Sequence, residues 1–161
     1  MDTLKEFSIA QVIQLMLTPG LMISACGLLL LGMNNKYSLV VNRIRLLNEE
    51  KRRLFFKAGE RIFYTDENVR LESISIQIER LVFRVKLVRN AVLFYTIAVA
   101  LFVITSILIG FQFFFMIDHF SFFITGLFLL GMLSVLFGVS YAAYETIKGY
   151  DIIQLEVKVD E

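Results

Sequence analysis

Apolar and polar positions fall into long separate blocks along this chain. Ile9–Met33, Ala91–Ile117 and Phe120–Tyr144 are almost purely apolar. Each exceeds the roughly 20 residues a helix needs to cross a bilayer core. The pattern predicts an all-α membrane protein with three transmembrane helices. Only Asp118 and His119 clearly separate the second block from the third, so those two helices form a tight antiparallel pair, with Asp118 or Ser121 placed to cap the third. Pro19-Gly20 interrupts the first block and predicts a kink there, or a short outer helix that breaks before the crossing. The opening residues Met1–Glu6 carry no basic cluster, and no small-x-small cleavage site follows, so the first block reads as a membrane helix rather than a removable signal.

The polar block, residues 34–90, has its own periodicity. Tyr37, Val40, Ile44, Leu47 and Leu54 recur in steps of three and four, with Lys51 filling one slot. Leu71, Ile74, Ile78, Leu81, Val85 and Val88 do the same before the second span. Such a seam predicts helices packed side by side with slight left-handed supercoiling. Gly59 marks the break, and Thr65-Asp66-Glu67-Asn68 looks like a helix start. A long antiparallel hairpin follows, each arm about 25 residues and roughly 35–40 Å long. The remaining apolar positions, Leu39, Val41, Leu46, Phe55, Phe56, Ile62 and Phe63, predict a homo-oligomer, or a cover supplied by the C-terminal tail or a soluble partner. In that tail Ile153, Leu155, Val157 and Val159 alternate with polar residues, which predicts a short strand-like segment in need of a partner edge. The expected organisation is therefore 1–33 for the N-terminal arm and first helix, 34–90 for the hairpin, 91–117 and 120–144 for the other two helices, and 145–161 for the tail.

Charge orients this arrangement. Residues 34–90 hold thirteen Lys and Arg against seven Asp and Glu, a local excess of +6 that the net charge of +1 conceals. The 118–119 turn has no Lys or Arg and the N-terminal arm only Lys5. The positive-inside rule then places the hairpin and the C-terminal tail in the cytoplasm, and the N-terminus and short turn outside. Arg43, Arg45, Arg84, Lys86 and Arg89 fall where anionic lipid headgroups lie, so the bilayer is the partner expected for them. The phenylalanines at 111, 113, 114, 115, 120, 122 and 123 crowd the outer end as an interfacial belt and lipid-facing surface.

Candidate chemistry is sparse. One cysteine, Cys26, excludes an intrachain disulfide and fits a helix–helix contact. With one histidine, no paired carboxylates inside a span, no phosphate loop and no zinc spacing, no enzyme, metal, cofactor or nucleic-acid partner is expected. Asp118-His119 reads as a polar turn, or as an outer mouth if subunits bring these turns together. Polar residues inside spans are more informative because lipid penalises them. Gln11, Gln14 and Thr18 fall within about 60° of one another on a helix, and Met22, Ala25 and Leu29 continue the stripe through Gly32 to Lys36. In an oligomer this face would line a pore, amide-rich outside and apolar further in. Gly20, Ser24 and Gly27, and separately Gly131, Ser134 and Gly138, form small-residue rows that permit close helix approach. Glu145 follows the second row at the membrane boundary, where Lys148 or Arg89 would neutralise it.

Gln14-Leu-Met-Leu-Thr-Pro19 at the start of the first span, with Asn42-Arg43-Ile44-Arg45 just past its end, resembles a bacterial family of small three-helix membrane proteins of unknown function. The resemblance runs through the second span. It implies the same topology and a bacterial inner-membrane address, and it implies no activity. The residues themselves point to a homo-oligomeric membrane protein, with an ion channel lined by the first helix as the sharp expectation. The other expectation is a non-conducting scaffold or adaptor that recruits a cytoplasmic partner through hairpin and tail. A transporter would call for midplane ionisable residues or an internal repeat, and neither is present.

Overall fold

The structure is a computed structural model that describes residues 9–58, 65–115 and 121–159, with side chains placed for 11–56, 68–115 and 121–149. Three helices make up the described chain: α1 Ile9–Ala58, α2 Thr65–Phe115 and α3 Ser121–Val159. All three are long and apolar enough to cross a membrane, as befits a multi-pass membrane protein. A bilayer core offers no partner to backbone N–H and C=O groups, so an apolar segment must satisfy them within its own helix. Span hydroxyls follow the same rule: Thr96 donates to the Val92 carbonyl at 2.8 Å, Thr105 to Leu101 at 2.8 Å and Ser140 to Leu136 at 2.9 Å.

Two compact units divide the chain, and every helix contributes to both: Met1–Gly32 with Ala91–Ser140, and Met33–Asn90 with Tyr141–Glu161. In the first unit the core is Cys26, Ala98 and Phe102, packed round by Met22, Ile23, Val99, Phe128 and Val135. Bulk on α2 meets small residues on α3. The ring of Phe102 lies over Gly131, and that of Tyr95 over Gly138. Between them Ser134 Oγ donates to the Phe94 carbonyl at 2.7 Å, an interhelical bond of the kind that small polar residues make in membranes.

The second unit contains the α1 and α2 arms and the C-terminal part of α3. The arms run antiparallel: Arg70 donates twice to Glu50 at 2.8 and 3.0 Å, and Lys51 Nζ donates to Ser75 at 3.1 Å. Val40, Leu47, Ile74 and Val88 are buried, while Ile44, Leu54, Leu71, Ile78, Leu81 and Val85 are half-buried. Apart from Tyr37, which is exposed, the periodic seam of the hairpin is thus its packing face. Along α1 the buried positions recur every seventh residue, as Val12, Pro19, Cys26, Met33, Val40 and Leu47.

Two expectations are corrected. The C-terminal segment is not a strand: α3 continues as helix to Val159. A lone strand leaves its backbone groups unpaired, whereas extending an existing helix adds a hydrogen bond per residue without a new nucleus. No short outer helix breaks at Pro19 either. α1 is unbroken from Ile9 to Ala58, and Pro19 is fully buried at an inner heptad position. α2 starts at Thr65, where the expected helix start begins, while Gly59 and the Asp118-His119 turn lie outside the described residues.

Candidate functional site

The row of buried α3 positions explains a polar cluster set among apolar helices. Ile124, Gly131, Gly138 and Glu145 follow one another every seven residues and all are buried. Glu145 therefore occupies an inner position of a helix whose other inner residues are apolar or small, and its side chain is only 1% exposed. A carboxylate there demands partners, because its desolvation is repaid only by close charge and hydrogen bonds.

Two cations supply them, both in the second unit. Arg84 of α2 donates to Oε1 through Nη2 at 2.7 Å and Nε at 3.1 Å. Lys36 of α1 donates to Oε2 at 3.1 Å and to Thr146 Oγ1 at 3.0 Å, while Thr146 donates to the Ala142 carbonyl. Arg84 is 23% exposed and Lys36 45%, so the positive charge left over after neutralisation sits on the wetter lysine. Space for the guanidinium comes from Gly149, where a Cβ would lie 2.9 Å from Arg84 Nη2. All three helices are pinned by one carboxylate. Among the described residues no buried side-chain polar atom lacks a partner.

These partners differ from the expected ones. Lys148 instead lies over the Tyr144 ring, 6.0 Å from its centroid, and Arg89 donates to Asn90. Arg84 was expected at lipid headgroups and turns inward to Glu145, whereas Arg43, Arg45, Lys86 and Arg89 are exposed. Lys36, Arg84 and Glu145 were not grouped by sequence reasoning. The signal available was the heptad row: Glu145 stands seven residues past Gly138, as Gly138 stands seven past Gly131.

The other candidate positions separate clearly. On α1, Gln11, Gln14, Thr18, Ala25 and Leu29 are exposed, and Met22 is half-buried beside the Cys26 core. Gly131, Ser134 and Gly138 lie at close contacts with α2, whereas Gly20 and Gly27 face open space and Ser24 Oγ bonds back to the Gly20 carbonyl. Asp118 and His119 are outside the described residues. Among the described residues no three of His, Cys, Asp and Glu come together as metal ligands would.

A family model described as "Protein of unknown function (DUF2721)" matches residues 16–155, which takes in most of α1, the hairpin, α2 and most of α3. The chain belongs to that family. Lys36, Arg84 and Glu145 all fall inside the matched region. No curated protein and no solved structure matches the chain.

Proposed function

We propose that this family member is a homo-oligomeric protein of the bacterial inner membrane that conducts ions, with α1 lining the pore. The N-terminus lies outside, and the hairpin arms and the end of α3 lie in the cytoplasm, as the thirteen basic residues of 34–90 require under the positive-inside rule. One observation carries the reading: Gln14 and Thr18 are exposed on the helix that is least used by its own bundle. Only 11% of the apolar window of α1 is buried, against 22% in each of the other two. Polar side chains on a helix left open to neighbours suit a shared, water-filled axis better than lipid. Exposed Ala25 and Leu29 then form the narrow apolar section, and Asp118 and His119 stand near the outer mouth. No catalytic step enters this reading.

A second reading, a non-conducting scaffold or adaptor, draws on Phe55 and Phe56 near the far end of the α1 arm, both exposed. Aromatic side chains at such a tip suit a cytoplasmic protein partner. Flux measurements on the purified protein in liposomes, with its mass measured in detergent, separate the two. Oligomers whose conductance changes with Gln14→Glu while assembly survives support the channel. Oligomers that stay silent under varied pH, voltage and calcium support the scaffold, and a monomer removes the pore.

A further inference from the structure

The oligomer reading does not say which faces meet, and the hairpin arms carry two exposed rows that answer this. On α2, Val69, Ile76 and Phe83 recur every seventh residue and all are exposed. Ile76 stands two residues past buried Ile74, about 200° round the helix, so this row points away from the packing inside the chain. On α1, Leu39 and Leu46 form a similar exposed row seven residues apart. Apolar rows with a strict heptad period match another supercoiled helix rather than a flat surface.

Charge tells which row meets which. Beside the α2 row stand Glu72 and Glu79, and about 100° round from the α1 leucines stand Arg45 and Arg52, all four exposed, while Arg43 and Arg80 on the opposite flanks form one like-charged pair. None of these four makes a hydrogen bond or ion pair among the described residues, whereas Glu49, Glu50, Lys51, Arg53 and Arg70 on the same arms all do. The bonds Glu50–Arg70 and Lys51–Ser75 bracket the levels of the antiparallel arms to within one to two helical turns. Inside that bracket Leu46 comes close to the level of Ile76, and Leu39 to that of Phe83. By the same register Arg52 comes close to the level of Glu72, and Arg45 to that of Glu79. Because the arms run in opposite directions, the acids flank the α2 row on the same side as the arginines flank the leucines. Copies arranged in a ring about an axis parallel to the arms keep every level unchanged.

We propose that the outward face of the α2 arm docks on the outward face of the α1 arm of the neighbouring copy. Ile76 and Phe83 meet Leu46 and Leu39, and Glu72 and Glu79 meet Arg52 and Arg45. The contact joins two different faces, so it builds a ring where the rotation between copies closes, and not a two-fold dimer. Exposed ion pairs add little affinity, but they set partner and register. The proposal rests on the homo-oligomer reading alone and not on the pore, because Leu39 and Leu46 continue the seven-residue row of Thr18 and Ala25, and a neighbour's helix seated along that whole row would displace a pore from it.

Two full-length chains with different tags, one Leu46→Cys and one Ile76→Cys, are co-expressed and oxidised in membranes. A mixed disulfide is expected, since it forms only where the two Cα atoms approach within about 7 Å. Neither variant alone cross-links, nor does the unaltered chain with its buried Cys26. Reversing Glu72 and Glu79 to Arg in the Ile76→Cys chain lowers the mixed product, and reversing Arg45 and Arg52 to Glu in its partner restores it. An oligomer by mass that yields no mixed disulfide, or that links like to like, overturns this interface and leaves the oligomer standing. A monomer by mass overturns both.

Discussion

Arg84 meets Glu145 across 61 positions of sequence, its Nη2 donating to Oε1 at 2.7 Å where the carboxylate is almost fully buried. Lys36 approaches the other oxygen from α1, so one acid on α3 is fixed by both arms of the hairpin. A buried pair of this kind adds little net stability against a well-packed apolar substitute, yet breaking it from one side is severe. The asymmetry makes it a device for register: α3 fits the two arms where Glu145, its one buried acid among the described residues, finds both cations.

Arg84→Ala strands a buried carboxylate with one half-exposed lysine and is expected to destabilise by about 3–5 kcal/mol. Glu145→Gln leaves two cations that reach water more easily, so its loss is smaller. With both changes the total falls well short of the sum. Denaturant titration of the detergent-solubilised protein by circular dichroism measures all three. Equal and additive losses would show that the pair is not coupled.

Some of this arrangement was legible in the chain and some was not, for a physical reason in each case. The hairpin seam could be read because Val40, Leu47, Ile74 and Val88 stand out against charged neighbours at a helical period. Inside the spans that contrast vanishes, so the same period through Val12, Pro19 and Cys26 is invisible among residues that are all apolar. Glu145 stands out as a charge at the membrane boundary, but the sequence offers Lys148, three residues on, and Arg89, at the same boundary, as its partners. Its actual partners are set by the register between helices, which no single helix encodes. The tail misled for another reason: alternation of Ile153, Leu155, Val157 and Val159 mimics a strand, while the backbone continues a helix already formed.

Gly131 and Gly138 are expected to tolerate no side chain. A Cβ at Gly138 lies 2.7 Å from the Tyr95 ring, and one at Gly131 lies 2.8 Å from Phe102. Gly138→Leu should cost roughly 1–3 kcal/mol through forced displacement of that ring. Gly27→Ala, which meets open space inside α1, should instead stabilise by about 0.8–1.0 kcal/mol. Thermal unfolding in detergent distinguishes them. Equal effects at positions 138 and 27 would refute the close α2–α3 approach.

Charge on the exposed arms behaves differently. Arg53 donates to Glu49 at 2.6 Å, four residues away on the same helix face, and both side chains are well exposed. Arg53→Ala should change stability by only about 0.3–0.5 kcal/mol, and added salt should erase the difference. Measuring the parent and Arg53→Ala at low and high ionic strength checks this. A loss as large as that of Arg84→Ala would mean that the arm depends on its surface pairs.

Gly149 offers a sharper probe of the Arg84–Glu145 contact. Glycine inside a helix is about 0.8–1.0 kcal/mol less favourable than alanine, so Gly149→Ala would ordinarily stabilise α3. Here the added methyl would stand 2.9 Å from Arg84 Nη2 and 3.1 Å from Cζ, displacing the guanidinium from the position in which it holds Glu145. The helical gain and the weakened ion pair then oppose each other, and Gly149→Ala alone should be neutral or destabilising. Once Arg84→Ala has removed the guanidinium, the obstacle is gone and the same substitution should stabilise by about 1 kcal/mol. The two single variants and the double variant complete the cycle with the parent, and the sign change between backgrounds is what matters. If Gly149→Ala stabilises both backgrounds equally, glycine at this position does not make room for Arg84.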